Sequence, residues 1–190
     1  MRLKNTVLVL ISTLLFMGTL QAEERDTLFQ IGAIDHGGFG GFGSKVSRLN
    51  GETQTLGGIK GAWLLNKQYY LGFAGYGTHD EIANTKYGMG YGGLLTGVFF
   101  KPKNLVRYNL EMIIGGGSFA EYRDHHQSQN EVDSFFVFEP AANVNLALAK
   151  YVDLSFGASY RFVDGIDLAE FQSSDIEGWS VSTSLIFGTF

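Results

Sequence analysis

The sequence predicts an all-β fold, a closed antiparallel eight-stranded transmembrane β-barrel, on three observations. Apolar residues recur at every second position in one segment after another, the period of a strand with two unlike faces. Glycine and aromatic residues abound, with 26 Gly, 16 Phe and 9 Tyr against 2 Pro in 190 residues. No apolar run beyond the N-terminus reaches the roughly twenty residues that a membrane-spanning helix needs.

The first element, residues 1–22, reads as a signal peptide. Arg2 and Lys4 precede the apolar run Val7 to Met17, and a short polar close ends at Ala22. Its core of about eleven residues is too short to span a membrane. Cleavage would leave residues 23–190, with 23–37 as an N-terminal periplasmic segment and 38–190 as the barrel. The chain has no cysteine, which excludes a disulfide framework and a lipidated cysteine anchor. The leader removes two of the 14 basic residues, so nineteen acids then face twelve bases. Such a balance argues against nucleic acid as a partner, because binding it requires a basic surface.

Eight strands are expected, at 38–48, 54–65, 68–78, 87–100, 106–121, 133–148, 151–163 and 178–190. The first contains GGFGGFGSK, Gly37 to Lys45. Its glycine spacing matches a dinucleotide-binding turn, but neither an amphipathic helix nor a correctly placed lysine follows, so the run is assigned to a strand. Phe39 and Phe42 are three apart, which predicts either a bulge at Gly40-Gly41 or one phenylalanine inside the barrel. In the third segment Tyr69, Leu71 and Phe73 alternate with Tyr70, Gly72, Ala74 and Tyr76. The fourth is read with Gly88, Gly90 and Gly92 inward. The fifth alternates Tyr108, Leu110, Met112 and Ile114 with Arg107, Asn109, Glu111 and Ile113. In the seventh, Val152, Leu154, Phe156, Ala158, Tyr160 and Phe162 oppose Asp153, Ser155, Gly157, Ser159 and Arg161. Apolar parity slips in the eighth, between Leu185 and Phe187 on one face and Ile186 and Phe190 on the other, which predicts a bulge near Gly188.

Short connections are expected after the even strands and longer ones after the odd strands, the plan of an outer-membrane barrel. The short connections carry Lys67, Lys101, Lys103 and Lys150; the longer ones carry Asp80, Glu81, Asp124, Glu131, Asp164, Asp167, Glu170, Asp175 and Glu177. A basic inner rim suits anionic phospholipid, and an acidic outer rim suits divalent cations shared with lipopolysaccharide. Trp63, Tyr69, Phe99, Tyr108 and Tyr151 are expected in one aromatic girdle, and Tyr76, Tyr87, Tyr122, Phe135 and Trp179 in the other.

With these segments in place, the chain resembles the small eight-stranded outer-membrane barrels of Gram-negative bacteria, the OmpA and OmpX type. The most specific mark is the end, STSLIFGTF, closing on Phe190. Gly188 departs from the aromatic that the family favours two places earlier. The resemblance implies an outer-membrane location, a monomer, contact with lipid and lipopolysaccharide, and Phe190 as the signal read by the barrel-assembly machinery.

Parity places Lys60, Arg107, Glu111, Glu139, Asp153 and Arg161 inward, three bases and three acids. The sixth and seventh strands, folded about the Ala149-Lys150 turn, set Glu139 across from Arg161. Such groups form a cross-linked polar plug, since a buried charge requires a partner; a narrow pore for small or hydrophobic solutes is the alternative. A Glu111 and Glu139 acid-base pair is disfavoured, because the hairpin is expected to carry Glu111 towards Asn143 and Asn145. Asp124, His125, His126 and Ser128 are the local set of catalytic residue types, and a lipid-modifying enzyme would use His126 and Ser128. Their polar loop lacks the fixed geometry that catalysis requires. The reading is therefore a structural or interaction barrel, not an enzyme, with no cofactor or metal. Ile166, Leu168, Phe171 and Ile176 suggest that the 164–177 connection lies over the barrel mouth.

Overall fold

A computed structural model describes residues 34–49, 52–78, 86–100, 104–122, 132–165 and 173–189. Eight antiparallel strands close in simple sequence order: β1 His36–Leu49, β2 Glu52–Leu65, β3 Tyr69–Thr78, β4 Lys86–Phe100, β5 Val106–Tyr122, β6 Val132–Ala149, β7 Val152–Asp164 and β8 Gly178–Gly188. β1 pairs with both β2 and β8, so the sheet has no free edge. A single turn of helix, α1, spans Ser173–Ile176 between β7 and β8.

Closure follows from the alternation. Ile59, Phe73 and Trp179 lie outward, each 71% exposed to solvent, whereas Lys60, Ala74 and Ser180 beside them in sequence are buried. Apolar side chains outside and polar ones inside are the reverse of a soluble barrel, and they match strands that meet lipid. Each strand has the roughly nine to eleven residues that a tilted crossing needs.

The turn between β2 and β3 shows how local chemistry sets register. Asn66 and Lys67 have φ of 52° and 57°, the left-handed region, and Gln68 N donates to Leu65 O at 3.0 Å. Two positive-φ residues make a hairpin turn whose twist matches the strands, and asparagine tolerates that region well. The turn fixes Leu65 opposite Tyr69.

Several sequence expectations change. β1 starts at His36, and β1 and β2 end paired at Leu49 and Glu52, so only two residues separate them and that connection is not long. β1 runs in unbroken register past Gly40 and Gly41: Phe39 is buried and Phe42 is exposed, one phenylalanine on each face. β8 also pairs regularly as far as Gly188, without the expected bulge, because Ile186 is an apolar residue of the interior. The register shift occurs instead between Ala147 and Ala149, beside the β6–β7 turn. Gly88, Gly90 and Gly92 face outward, since Met89 and Tyr91 between them are buried. Phe99, Tyr76 and Phe135 are likewise interior residues and leave the girdles, in which Phe100 replaces Phe99. Phe190, Tyr87's side chain and Tyr122's side chain lie outside the described residues.

Inward glycines face large side chains. A side chain at Gly58 would occupy the space of the Tyr76 ring, one at Gly97 that of Tyr70, and one at Gly117 that of Phe135. Small opposite large is how a narrow barrel fills its bore.

Candidate functional site: the barrel interior

The interior is layered along the barrel axis. Near the short turns, Phe39, Tyr70 and Phe99 pack as rings, with centroids 5.2 Å apart for Phe39 and Tyr70 and 5.1 Å for Tyr70 and Phe99. Leu64 and Ile186 complete this apolar floor. Arg107, from β5, forms an ion pair with Asp153, from β7, and its guanidinium lies 5.9 Å from the Phe99 ring centre.

Above the floor, Glu111 collects donors from β2, from β3 and, through Asn109 Nδ2 at 3.3 Å, from its own strand β5. Lys60 Nζ donates to both of its carboxylate oxygens at 3.1 Å, and Tyr70 Oη to one at 2.9 Å. Asn109 Nδ2 donates to Tyr70 Oη at 2.7 Å, and Asn145 Nδ2 to Asn109 Oδ1 at 2.7 Å. Glu139 makes a second node. Lys45 Nζ reaches it at 2.5 Å, Tyr91 Oη at 2.6 Å and Ser159 Oγ at 2.6 Å. The Lys45 ammonium also lies 3.7 Å from the centre of the Tyr76 ring, which stacks on Tyr91. Three donors on a buried carboxylate, one of them cationic, offset the cost of removing its charge from water.

At the loop end, Arg161 Nε donates to Ile176 O at 3.0 Å and Arg161 Nη2 to Ser47 Oγ at 3.1 Å. Ile176, the last residue of α1, is buried, and Val163 N donates to Glu177 Oε1 at 3.1 Å. Leu49, Leu56, Met89, Phe135, Val137 and Val163 are the other buried apolar residues of this end. The connection from β7 thus returns into the mouth at Ile176.

The structure places Lys60, Arg107, Glu111, Glu139, Asp153 and Arg161 on the inner face, and each has a polar or ionic contact. The partners differ from expectation in two respects. Glu139 is bound by Lys45, not by Arg161, although the β6–β7 register of Phe138 against Phe162 sets the two residues side by side. Lys45, 4% exposed, is the interior charge that sequence reasoning missed; it gives four cations and three anions among the described inward residues. The β5–β6 register also differs by about three residues from the expected one, so Glu111 faces Ala141, and Asn109 faces Asn143. Glu111 and Glu139 each hold their own lysine and form no acid-base pair.

The histidine and serine set at 124–128, and His79, lie outside the described residues. His36 stacks on Trp63 at 5.4 Å at the turn end. Among the described residues, no three His, Cys, Asp or Glu side chains converge as metal ligands.

This arrangement is the fold of the small eight-stranded outer-membrane barrels. Neisserial surface protein A, known from its crystal structure, superposes with a TM-score of 0.58 and 10% sequence identity, over 82% of this chain and 99% of that one. The attachment invasion locus protein Ail of Yersinia pestis, crystallised with the heparin analogue sucrose octasulfate, gives 0.51 and 12%, over 83% and 97%. Identities this low relate the folds and not the surfaces. No protein-family model and no curated protein matches the sequence.

Proposed function

We propose that this protein is an outer-membrane barrel of a Gram-negative bacterium with a plugged interior and acidic surface loops, whose role is structural or interactive rather than catalytic. The observation that carries this reading is the pair of carboxylate nodes, Glu111 with Lys60 and Glu139 with Lys45, which tie side chains of all the strands from β1 to β7 together across the bore. A bore crossed by ion pairs and filled by Tyr70, Tyr76, Tyr91 and Phe99 leaves no route for hydrated ions. The pore alternative rested on Gly88, Gly90 and Gly92 facing inward, and their outward placement removes that support.

Surface charge directs the choice of partner. Ail was crystallised with a polysulfated ligand, but the connections here at 79–85, 123–131 and 165–177 carry Asp80, Glu81, Asp124, Glu131, Asp167, Glu170, Asp175 and Glu177. Like charges repel. The partners that fit are cationic groups, or lipopolysaccharide bridged by divalent cations, together with the surrounding lipid and the barrel-assembly machinery acting on Phe190. The barrel works as a monomer and needs no cofactor.

Reconstitution into a planar bilayer tests the plug. A silent membrane over many insertions is the expected result; sustained single-channel current would replace the plug with the pore. Outer membranes extracted with detergent should yield a band whose gel mobility shifts on heating, and recovery as a soluble periplasmic protein would sink the membrane assignment.

A further inference from the structure

Most of the buried interior polar atoms that reach no hydrogen-bond partner lie on β6–β8. On β1–β5 the buried Lys45, Lys60, Tyr70, Tyr91 and Asn109 side chains all reach protein partners. On β6–β8, where Glu139 and Ser159 are bonded as well, Asn143 Nδ2, Asn145 Oδ1, Asp153 Oδ1, Arg161 Nη1 and Ser180 Oγ have no hydrogen-bond partner. Their residues are at least nine-tenths buried: Asn143 is 5% exposed, Ser180 2%, Asp153 1%, and Asn145 and Arg161 0%.

These atoms follow one another up the wall. Register places Asn145 and Ser184 on either side of Ser155, Asn143 and Ser182 on either side of Gly157, and Ser180 beside Ser159. Across β8, Ser182 faces Lys45 and Ser180 faces Ser47. On β7 and β8 these three successive levels carry nothing larger than serine, between Asp153 below and Arg161 above. The position of a missing side chain at Gly157 meets the Asn143 amide and lies 2.9 Å from Ser182 Oγ. Serine and glycine, repeated on neighbouring strands over about 13 Å of β7 from Ser155 to Ser159 at some 3.3 Å per residue, form a continuous polar seam.

Chemistry selects the occupant. Asn143 Nδ2 and Arg161 Nη1 can only donate, Asn145 Oδ1 and Asp153 Oδ1 can only accept, and Ser180 Oγ does either. An anion would serve the donors alone, and a cation the acceptors alone. Water serves both, and buried polar groups without protein partners are ordinarily met by ordered water. We propose that the inner face of β6–β8 is a built binding site for a file of water molecules, closed at the loop end by Arg161 and Ile176 and at the turn end by the Arg107–Asp153 pair. The file deepens the plug reading: the ion-paired side blocks the bore while the serine side stays hydrated.

The test is nuclear magnetic resonance of the full barrel in lipid nanodiscs, reading cross-relaxation between water and side-chain protons. Long-lived water contacts are expected at the Asn143 and Asn145 amides and at Arg161. Ser182→Val, which fills the seam, should remove the Asn143 contact while keeping the heat-dependent gel shift. If the wild-type amides show no water contact, the file is overturned. Ser180→Ala gives a second readout: a dry orphan hydroxyl predicts a higher unfolding midpoint on its removal, and a hydrated one an unchanged or lower midpoint. Bilayer recordings on the same preparation keep the two readings apart. Water contacts with sustained current would uphold the file and overturn the plug, and a silent barrel without water contacts would do the opposite.

Discussion

Ile59 and Lys60 are consecutive residues of β2, yet the first is 71% exposed and the second 9%. The isoleucine faces outward at mid-strand; the lysine donates to Glu111 inside. One peptide unit separates two media that exchange the usual roles of surface and core. Such a strand is held by two unlike forces, lipid contact on one face and paired charge on the other, and each can be broken separately.

The largest effect is expected inside. Glu139→Ala leaves the Lys45 ammonium, the Tyr91 hydroxyl and the Ser159 hydroxyl without their shared acceptor. Removing one member of a buried ion pair costs about 3–5 kcal/mol, because the other charge stays buried alone. The urea midpoint of the folded barrel in lipid vesicles should fall accordingly. Replacing both members, Lys45→Met with Glu139→Leu, should restore most of the loss, as buried pairs exchanged for apolar residues often do. A single variant as stable as the parent would show that the node contributes nothing.

The outer face should respond to the opposite substitution. Ile59→Arg places a cation near the middle of β2, where a lipid-facing arginine costs about 2–4 kcal/mol. Thr53→Arg, near the strand's end, should cost at most about 1 kcal/mol. The same unfolding measurement compares them, and equal costs at the two depths would argue that this face does not meet hydrocarbon.

How much of this was legible in the sequence depends on which medium a residue reports. Strand positions and inward parity follow from alternation, since the pleat points neighbouring side chains to opposite faces whatever the tertiary structure does. The parity of β5 and β7 alone therefore turns Arg107, Glu111, Asp153 and Arg161 to the inner face. Lys45 was missed because Phe39 and Phe42 obscure the parity of β1. The signal was nonetheless present: Lys45, Ser47 and Leu49 share odd parity with Phe39. Phe99, Tyr76 and Phe135 were misassigned for another reason. An aromatic near a strand end serves a girdle or a bore equally well, and only the facing glycine decides. Tyr76 turns inward over Gly58 and Phe135 over Gly117, and these pairings depend on register between strands. Partner choice was least legible. Glu139 has Arg161 beside it on the neighbouring strand and still binds Lys45 across the bore, a contact made by closure and not by any hairpin.

Gly57 and Gly58 extend the comparison to packing. A side chain at Gly58 meets the Tyr76 ring, whereas nothing lies within 4 Å at Gly57. Gly58→Val should therefore cost about 1–3 kcal/mol by overpacking, since the added side chain meets both the Tyr76 ring and the Gly75 carbonyl oxygen. Gly57→Val should be tolerated, with an unchanged midpoint and gel shift. Equal sensitivity at the two positions would contradict the inward course of Tyr76.

The smallest effect belongs to an ion pair of the same chemical type in the other environment. Lys67 Nζ lies 3.5 Å from Asp35 Oδ2, with side chains 42% and 60% exposed, whereas the Lys45–Glu139 pair is 5% and 0% exposed. Water and salt already solvate both members of the outer pair, so little is gained by contact. Asp35→Ala keeps the bonds from Asn66 N to Asp35 O and from Asp35 N to Asn66 Oδ1 and should change stability by less than about 1 kcal/mol. That small difference should vanish in about 1 M salt, where screening acts within roughly 3 Å, while the loss caused by Glu139→Ala persists. A cost at Asp35 approaching that at Glu139, or one indifferent to salt, would mean that the turn-end pair is shielded from water and that burial does not separate the two.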